Sequence, residues 1–85
     1  MKISWSKKAW ENYQYWQQTD LKKLSRINKL IKDAMRNPRD GSGKPEQLKN
    51  DLRGCWSRRI DQEHRLVYQI LDEEIHIIAC RYHYK

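Results

Sequence analysis

Residues 55–70 read CWSRRIDQEHRLVYQI, two runs of alternating polarity on either side of Asp61-Gln62-Glu63. Alternation at a period of two marks a half-buried strand, and strands favour the β-branched and aromatic side chains that fit a pleated surface. The stretch therefore predicts a β-hairpin, 55–60 against residue 64 onward, with Arg58, Arg59 and Arg65 built into its strands. Clustered guanidinium groups on a rigid sheet suit an anion, because each presents planar, bidentate donors to a phosphate. If the three-residue link sets the register, Arg59 lies opposite Arg65 and Arg58 turns to the core side. Like charges directly opposite each other destabilise a sheet, and an anion between them offsets that cost.

Alternation resumes after Asp72-Glu73, giving strands over 55–60, 64–71 and 74–82. A two-residue turn at Asp72-Glu73 sets Leu66 opposite Ala79, Tyr68 opposite Ile77 and Ile70 opposite Ile75. That makes one apolar face and leaves Arg65, Val67, Ile78 and Cys80 on the other. Upstream, residues 2–5 alternate as a short first strand. Ser6 is a favoured N-cap for a helix over about residues 6–17, where Ala9, Trp10, Tyr13 and Trp16 recur at helical spacing. Asp20 offers a second cap. Leu21, Leu24, Ile27, Leu30, Ile31, Ala34 and Met35 then form the clearest amphipathic helix in the chain, ended by Asn37-Pro38. Residues 37–45 read as a loop, and Pro45 opens a short helical turn over 46–49, pinned by Leu48 and Leu52. The order β-α-α-β-β-β predicts an α+β fold, a mainly antiparallel sheet with both helices on one face.

Eighty-five residues make a single domain, 1–85, with one modest core. Mean hydropathy is low at −1.13, but four Trp and five Tyr oppose disorder, since disordered chains are poor in aromatics. The net charge of +7 sits entirely in residues 1–54, which hold 13 basic and 6 acidic side chains; residues 55–85 hold 5 of each. A small, strongly basic protein meets nucleic acid, through its phosphates, or an acidic protein partner. No apolar run approaches the ~20 residues of a membrane helix, and no apolar stretch follows Met1 as in a signal peptide. The expectation is a cytoplasmic protein with no membrane contact. Cys55 and Cys80 fit that compartment as free thiols. With no CxxC and no His/Cys cluster at metal-ligand spacing, neither a metal nor another cofactor is expected.

Cleaving RNA with side chains alone needs a base for the 2′-OH proton, cations for the phosphorane and an acid for the 5′-oxygen. Glu46, Arg65 and His83 are the right types, on three segments that could meet at one end of the sheet. Each has a plainer reading: a solvated turn carboxylate, a strand salt bridge, an inert histidine near the chain end. Against the last, Arg81-Tyr82-His83-Tyr84 is too aromatic for a frayed tail, and Tyr82 and Tyr84 suit either base stacking or core cover. His64 and His76 read as strand surface. The tryptophans read as core, with Trp5 and Trp10 also suited to a dimer interface. The polar face of the second helix carries Lys22, Lys23, Arg26, Lys29, Lys32 and Arg36, which suits solvent, phosphate or a partner.

WSRRIDQEHRLVY at 56–68, ACRYHY at 79–84, KPEQLK at 44–49 and ISWS at 3–6 together resemble the YoeB toxins, a branch of the RelE/ParE superfamily of bacterial type II toxin–antitoxin systems. The resemblance implies a ribosome-dependent, metal-independent endonuclease that cuts mRNA in the 30S A site, against 16S rRNA. It implies neutralisation by a YefM-like antitoxin, operator DNA bound only through that antitoxin, and a homodimer. Carried over by motif, Glu46 matches the general base, His83 the general acid and Arg65 the transition-state stabiliser. Lys49 and Arg59 match supporting phosphate contacts, Tyr84 the aromatic that positions the substrate, and Glu63 a lesser site contact. Cys55 stands where an aromatic is expected, and Lys85 extends the usual ending by one residue. Two other functions fit the same fold: a non-catalytic relative acting with its antitoxin as a co-repressor, and a ribonuclease that needs no ribosome. A gyrase-targeting relative fits least, because that branch lacks the acid–base set.

Overall fold

Ser6 both ends the first strand and starts the first helix. β1 (Lys2–Trp5) gives way to α1 (Lys7–Thr19) where the Ser6 hydroxyl accepts the Ala9 N–H at 3.0 Å and donates to the Ile78 carbonyl at 2.8 Å. Asp20 caps α2 (Leu21–Arg36) through the amides of Lys22 and Lys23. There follow β2 (Glu46–Gln47), one 3₁₀ turn (Asn50–Leu52), β3 (Cys55–Arg59), β4 (Arg65–Leu71) and β5 (Glu74–Ala79). The computed structural model describes residues 1–83. Its five strands form one sheet ordered β1-β5-β4-β3-β2, parallel between β1 and β5 and antiparallel elsewhere. Among the described residues no helix is long and apolar enough to cross a membrane.

The predicted α+β architecture is the observed one. Ala9 and Trp16 of α1 and Ile27, Leu30, Ile31 and Ala34 of α2 pack on Leu66, Tyr68, Ile75 and Ile77 of the sheet. Trp5, Trp10 and Tyr13 gather at one side of this core, with Trp10 exposed and stacked on Tyr13.

Two local readings change. Residues 46–49 do not form a helical turn. Glu46 pairs with Ser57 and Gln47 with Trp56, and the Leu48 N–H donates to the Cys55 carbonyl at 2.9 Å. The edge of β3 offers unpaired backbone groups, and these two residues satisfy them; the helical turn comes later, at Asn50–Leu52. The second change is a bulge. Tyr68 pairs with Ile77 and Ile70 with Ile75 as expected, but Val67, not Leu66, pairs with Ala79, leaving Ile78 as the extra residue. One inserted residue exchanges the two faces of everything beyond it. Cys80 therefore enters the main core, while Ala79 joins Val67 and Cys55 in a small cluster on the opposite face, packed by Leu48, Leu52 and Ile78. α1 holds the redirected backbone: Asn12 accepts the Cys80 N–H at 3.0 Å, and the Trp16 indole donates to the Cys80 carbonyl at 2.8 Å.

Arg58 faces the helices, as its place beside Arg59 requires, and has no exposed surface. Its Nε donates to the Tyr68 hydroxyl at 2.9 Å. Nη1 reaches Asp33 of α2 at 2.7 Å and the Ser42 carbonyl at 3.0 Å, and Nη2 reaches the carbonyls of Asn37 and Asp40. The Tyr68 hydroxyl in turn donates to the Pro38 carbonyl at 2.6 Å. A buried charge is tolerable only when its partners replace water, and here they are supplied by α2, β4 and the 37–42 loop together. Breaking such a pair from one side costs about 3–5 kcal/mol, so Arg58→Met should lower the urea unfolding free energy by that order.

The Ser42 amide and the Arg58 guanidinium hold the Asp33 carboxyl below its usual range. At Asp61 burial works the other way, but Lys23 and the amides of His64 and Glu63 outweigh it and bring the carboxyl to about 2. A carboxyl with a depressed folded pKa adds stability above its unfolded value and loses it as pH falls through the folded one. Urea midpoints should hold down to about pH 4 and fall steadily toward pH 2, with Asp61→Asn flattening part of that decline; equilibrium unfolding followed by tryptophan fluorescence measures both.

Candidate active site

The sheet face turned away from the helices carries Cys55, Ser57 and Arg59 of β3 and Arg65 and Val67 of β4, paired as Ser57 with Val67 and Arg59 with Arg65. The small cluster around Val67 gives this face a packed base. Above it lies a cleft of about 400 Å³ lined by Glu46, Lys49, Asn50, Arg59, Arg65 and His83, with the buried Ser57 on its floor.

Glu46 reaches the cleft because β2 sits directly across from Ser57. Lys49 and Asn50 follow where the chain turns sharply, Asn50 in the left-handed region at φ 59°, and Leu48 and Leu52 anchor the turn to the small cluster. Arg59 is exposed, and its backbone N–H donates to the Gly43 carbonyl at 2.7 Å. That approach requires glycine: Gly43 has φ +81°, and a Cβ there would stand 2.7 Å from Leu30 Cδ2.

Arg65 is anchored by one nitrogen. Its Nη1 donates to the carbonyls of Asp61 at 2.7 Å, His64 at 3.1 Å and Gln62 at 3.3 Å. Neither Arg59 nor Arg65 forms a salt bridge among the described residues, so the plainer reading of Arg65 as half of an ion pair does not hold there. Two arginines paired across the strands, without carboxylate partners among the described residues, suit an external anion.

His83 arrives from the other side. Tyr82, at φ 70°, is held by both backbone groups: its N–H donates to His64 Nδ1 at 2.8 Å and its carbonyl accepts the Arg65 N–H at 3.0 Å. The next residue is thereby delivered to the cleft beside Arg65. The site thus unites a carboxylate, an imidazole and three cationic side chains.

Of the residues expected in the site, Glu46, Lys49, Arg59, Arg65 and His83 converge. Glu63 does not line the cleft; its carboxylate lies 3.4 Å from His64 Nε2. Tyr84 lies outside the described residues. His64 is not strand surface but a buried ring set edge-on to Trp16, with centroids 4.8 Å apart. Sequence reasoning missed Ser57 and Asn50; for Ser57 the signal was present, since period two puts it on the face of Arg59. A second cleft, of about 580 Å³, lies across the 47–50 segment and ends at Arg53 and Gly54.

Comparison with known proteins places this geometry in context. The family model for a YoeB-like toxin of bacterial type II toxin-antitoxin system matches residues 5–84. The chain is 56% identical to toxin YoeB of Escherichia coli (strain K12) over 84 residues, covering 99% of this chain and 100% of that one. It is similar to the solved YoeB/ParE toxin from Agrobacterium tumefaciens, with a TM-score of 0.96, 46% identity and coverage of 99% and 100%. YoeB from Staphylococcus aureus has been solved as a dimer (TM-score 0.92) and in a heterotetrameric YoeB–YefM complex (TM-score 0.91). Each is 49% identical to this chain and matches 99% of it and 98% of the solved chain.

If the paired guanidiniums seat phosphates, Arg59→Ala and Arg65→Ala should each reduce the slope of log affinity against log salt for single-stranded RNA by about 0.7. Fluorescence anisotropy of a labelled oligonucleotide reads that slope. Equal slopes in both variants and the wild type would show that the face does not bind phosphate.

Proposed function

The chain belongs to the YoeB-like toxins of bacterial type II toxin–antitoxin systems, and within that family we propose that it is an mRNA endonuclease acting on translating ribosomes. Support comes from the convergence of Glu46, Arg65 and His83, carried by three separate segments, on one cleft beside Arg59 and Lys49. Binding an anion needs only the cations. A carboxylate and an imidazole on either side of them supply an acid–base pair as well.

In the proposed step Glu46 takes the proton of the 2′-OH, and that oxygen attacks the adjacent phosphorus. Arg65 and Arg59 neutralise the charge that grows on the phosphorane oxygens, on a rigid strand pair that needs no rearrangement to do so. His83 gives its proton to the departing 5′-oxygen. The products are a 2′,3′-cyclic phosphate and a 5′-hydroxyl. Each role is filled by a side chain, so the reaction requires no metal. Tyr84 positions the substrate, and the exposed Lys22, Lys29, Lys32 and Arg36 of α2 contact 16S rRNA at the 30S A site.

The partner is a YefM-like antitoxin, as in the S. aureus complex, and operator DNA is reached only through it. The toxin forms a homodimer, as the S. aureus relative does, and works in the cytoplasm, with residues 1–85 as a single toxin domain.

Ribosomes carrying a defined mRNA, incubated with purified protein, test this directly. Cleavage should leave a 2′,3′-cyclic phosphate and should fall by about 10²–10⁴-fold in Glu46→Gln and in His83→Gln. Intact mRNA, or equal cleavage by wild type and His83→Gln, would overturn the assignment. Naked RNA run in parallel reports whether the ribosome is required.

A further inference from the structure

We propose that His64 is a positioning residue for His83, holding the end of the chain in the cleft through the backbone N–H of Tyr82. The inference rests on the reading of His83 as the general acid.

His64 is buried in the turn just before β4, edge-on to Trp16. Its own N–H donates to Asp61 Oδ1 at 2.6 Å, Glu63 donates to the same oxygen at 2.8 Å, and Lys23 of α2 holds the other oxygen at 2.7 Å. Backbone and ring are thus fixed from two sides. The ring's remaining function is specific. Nδ1 accepts the Tyr82 N–H at 2.8 Å, so the ring proton sits on Nε2, which faces Glu63 at 3.4 Å.

Tyr82 needs that acceptor. A non-glycine residue at φ 70° stays there only when its surroundings hold it. Its N–H goes to the side chain of His64 and its carbonyl to the amide of the next residue, Arg65. The Arg81 guanidinium, 4.5 Å from the Tyr82 ring, is itself laid over Tyr15 at 3.5 Å. His64 and Arg65 therefore set the position of the residue before His83, and Arg65 lines the cleft beside His83. The imidazole fixes the distance between acid and phosphate seat without touching either.

Two substitutions separate this role from simple packing. Asn carries an acceptor on Cγ where Nδ1 stands, whereas Leu fills similar space without one. His64→Leu should lower kcat for mRNA cleavage on ribosomes about tenfold or more, with KM within about twofold, because a displaced acid is missed only in the transition state. His64→Asn should recover most of that loss. In a His83→Gln background, His64→Leu should add less than about a twofold further loss, since residues acting as one unit are not additive. A full additional loss there, or His64→Asn as poor as His64→Leu, would overturn the inference.

Should His83→Gln prove as active as the wild type, the functional reading fails. Amide hydrogen exchange at Tyr82 still decides the structural link. His64→Leu should speed it and His64→Asn should not, at matched melting temperatures; unchanged exchange in both would overturn the link.

Discussion

A guanidinium without solvent contact ties this fold together. Taking the Arg58 charge out of water is expensive, and only a full set of fixed acceptors offsets it. Asp33, Tyr68 and the carbonyls of residues 37, 40 and 42 provide that set, which means the loop after α2 has no freedom to stray. The loop delivers Gly43, whose carbonyl accepts the amide of Arg59, and three residues later Glu46 begins β2. Neighbouring arginines on one strand thus divide the work by pleat alone: Arg58 inward to fix the loop, Arg59 outward into the cleft.

Much of this could be read from alternation. The facing of Arg58, the pairing of Arg59 with Arg65 and of Tyr68 with Ile77, and both helix caps follow from local chemistry that nothing distant overrides. What escaped reading has a common cause. The bulge at Ile78 sits in Ile77-Ile78-Ala79-Cys80, where every residue is apolar and alternation carries no phase, so a one-residue insertion leaves no trace. β2 is two residues long, shorter than any period, and Pro45 before it suits a helix start equally well. The edge of β3 decided the matter, and that edge exists only once the sheet does.

The site was partly legible for a different reason. Glu46, Arg65 and His83 stand out only jointly, as chemical types that match a known family; none is marked by its own neighbours. His64 misled because Glu63 and Arg65 beside it are polar, as on a surface strand. Its burial depends on Trp16, forty-eight positions earlier, closing over the end of the sheet, a contact no local pattern encodes. The bulge, unseen in the sequence, then matters twice. It turns Cys80 into the core, where Asn12 and Trp16 take its backbone, and it sends the following residues off the sheet toward His64 and the cleft.

The pairing of Arg59 with Arg65 works against stability. Like charges across a strand pair repel, and here neither finds a carboxylate among the described residues. The sheet tolerates the pair because its other restraints are strong: β3 is clamped by Arg58 beneath, β4 by the Asp61–His64 turn, and Val67 with Cys55 and Ala79 packs the space between. Any anion that binds both guanidiniums relieves the repulsion and so binds more tightly than either arginine alone would hold it. The geometry does not distinguish a phosphate from a carboxylate at this step. Under the proposed function, an acidic protein segment and an RNA backbone are therefore competitors for one seat, and only the flanking Glu46 and His83 make the RNA a substrate rather than a ligand.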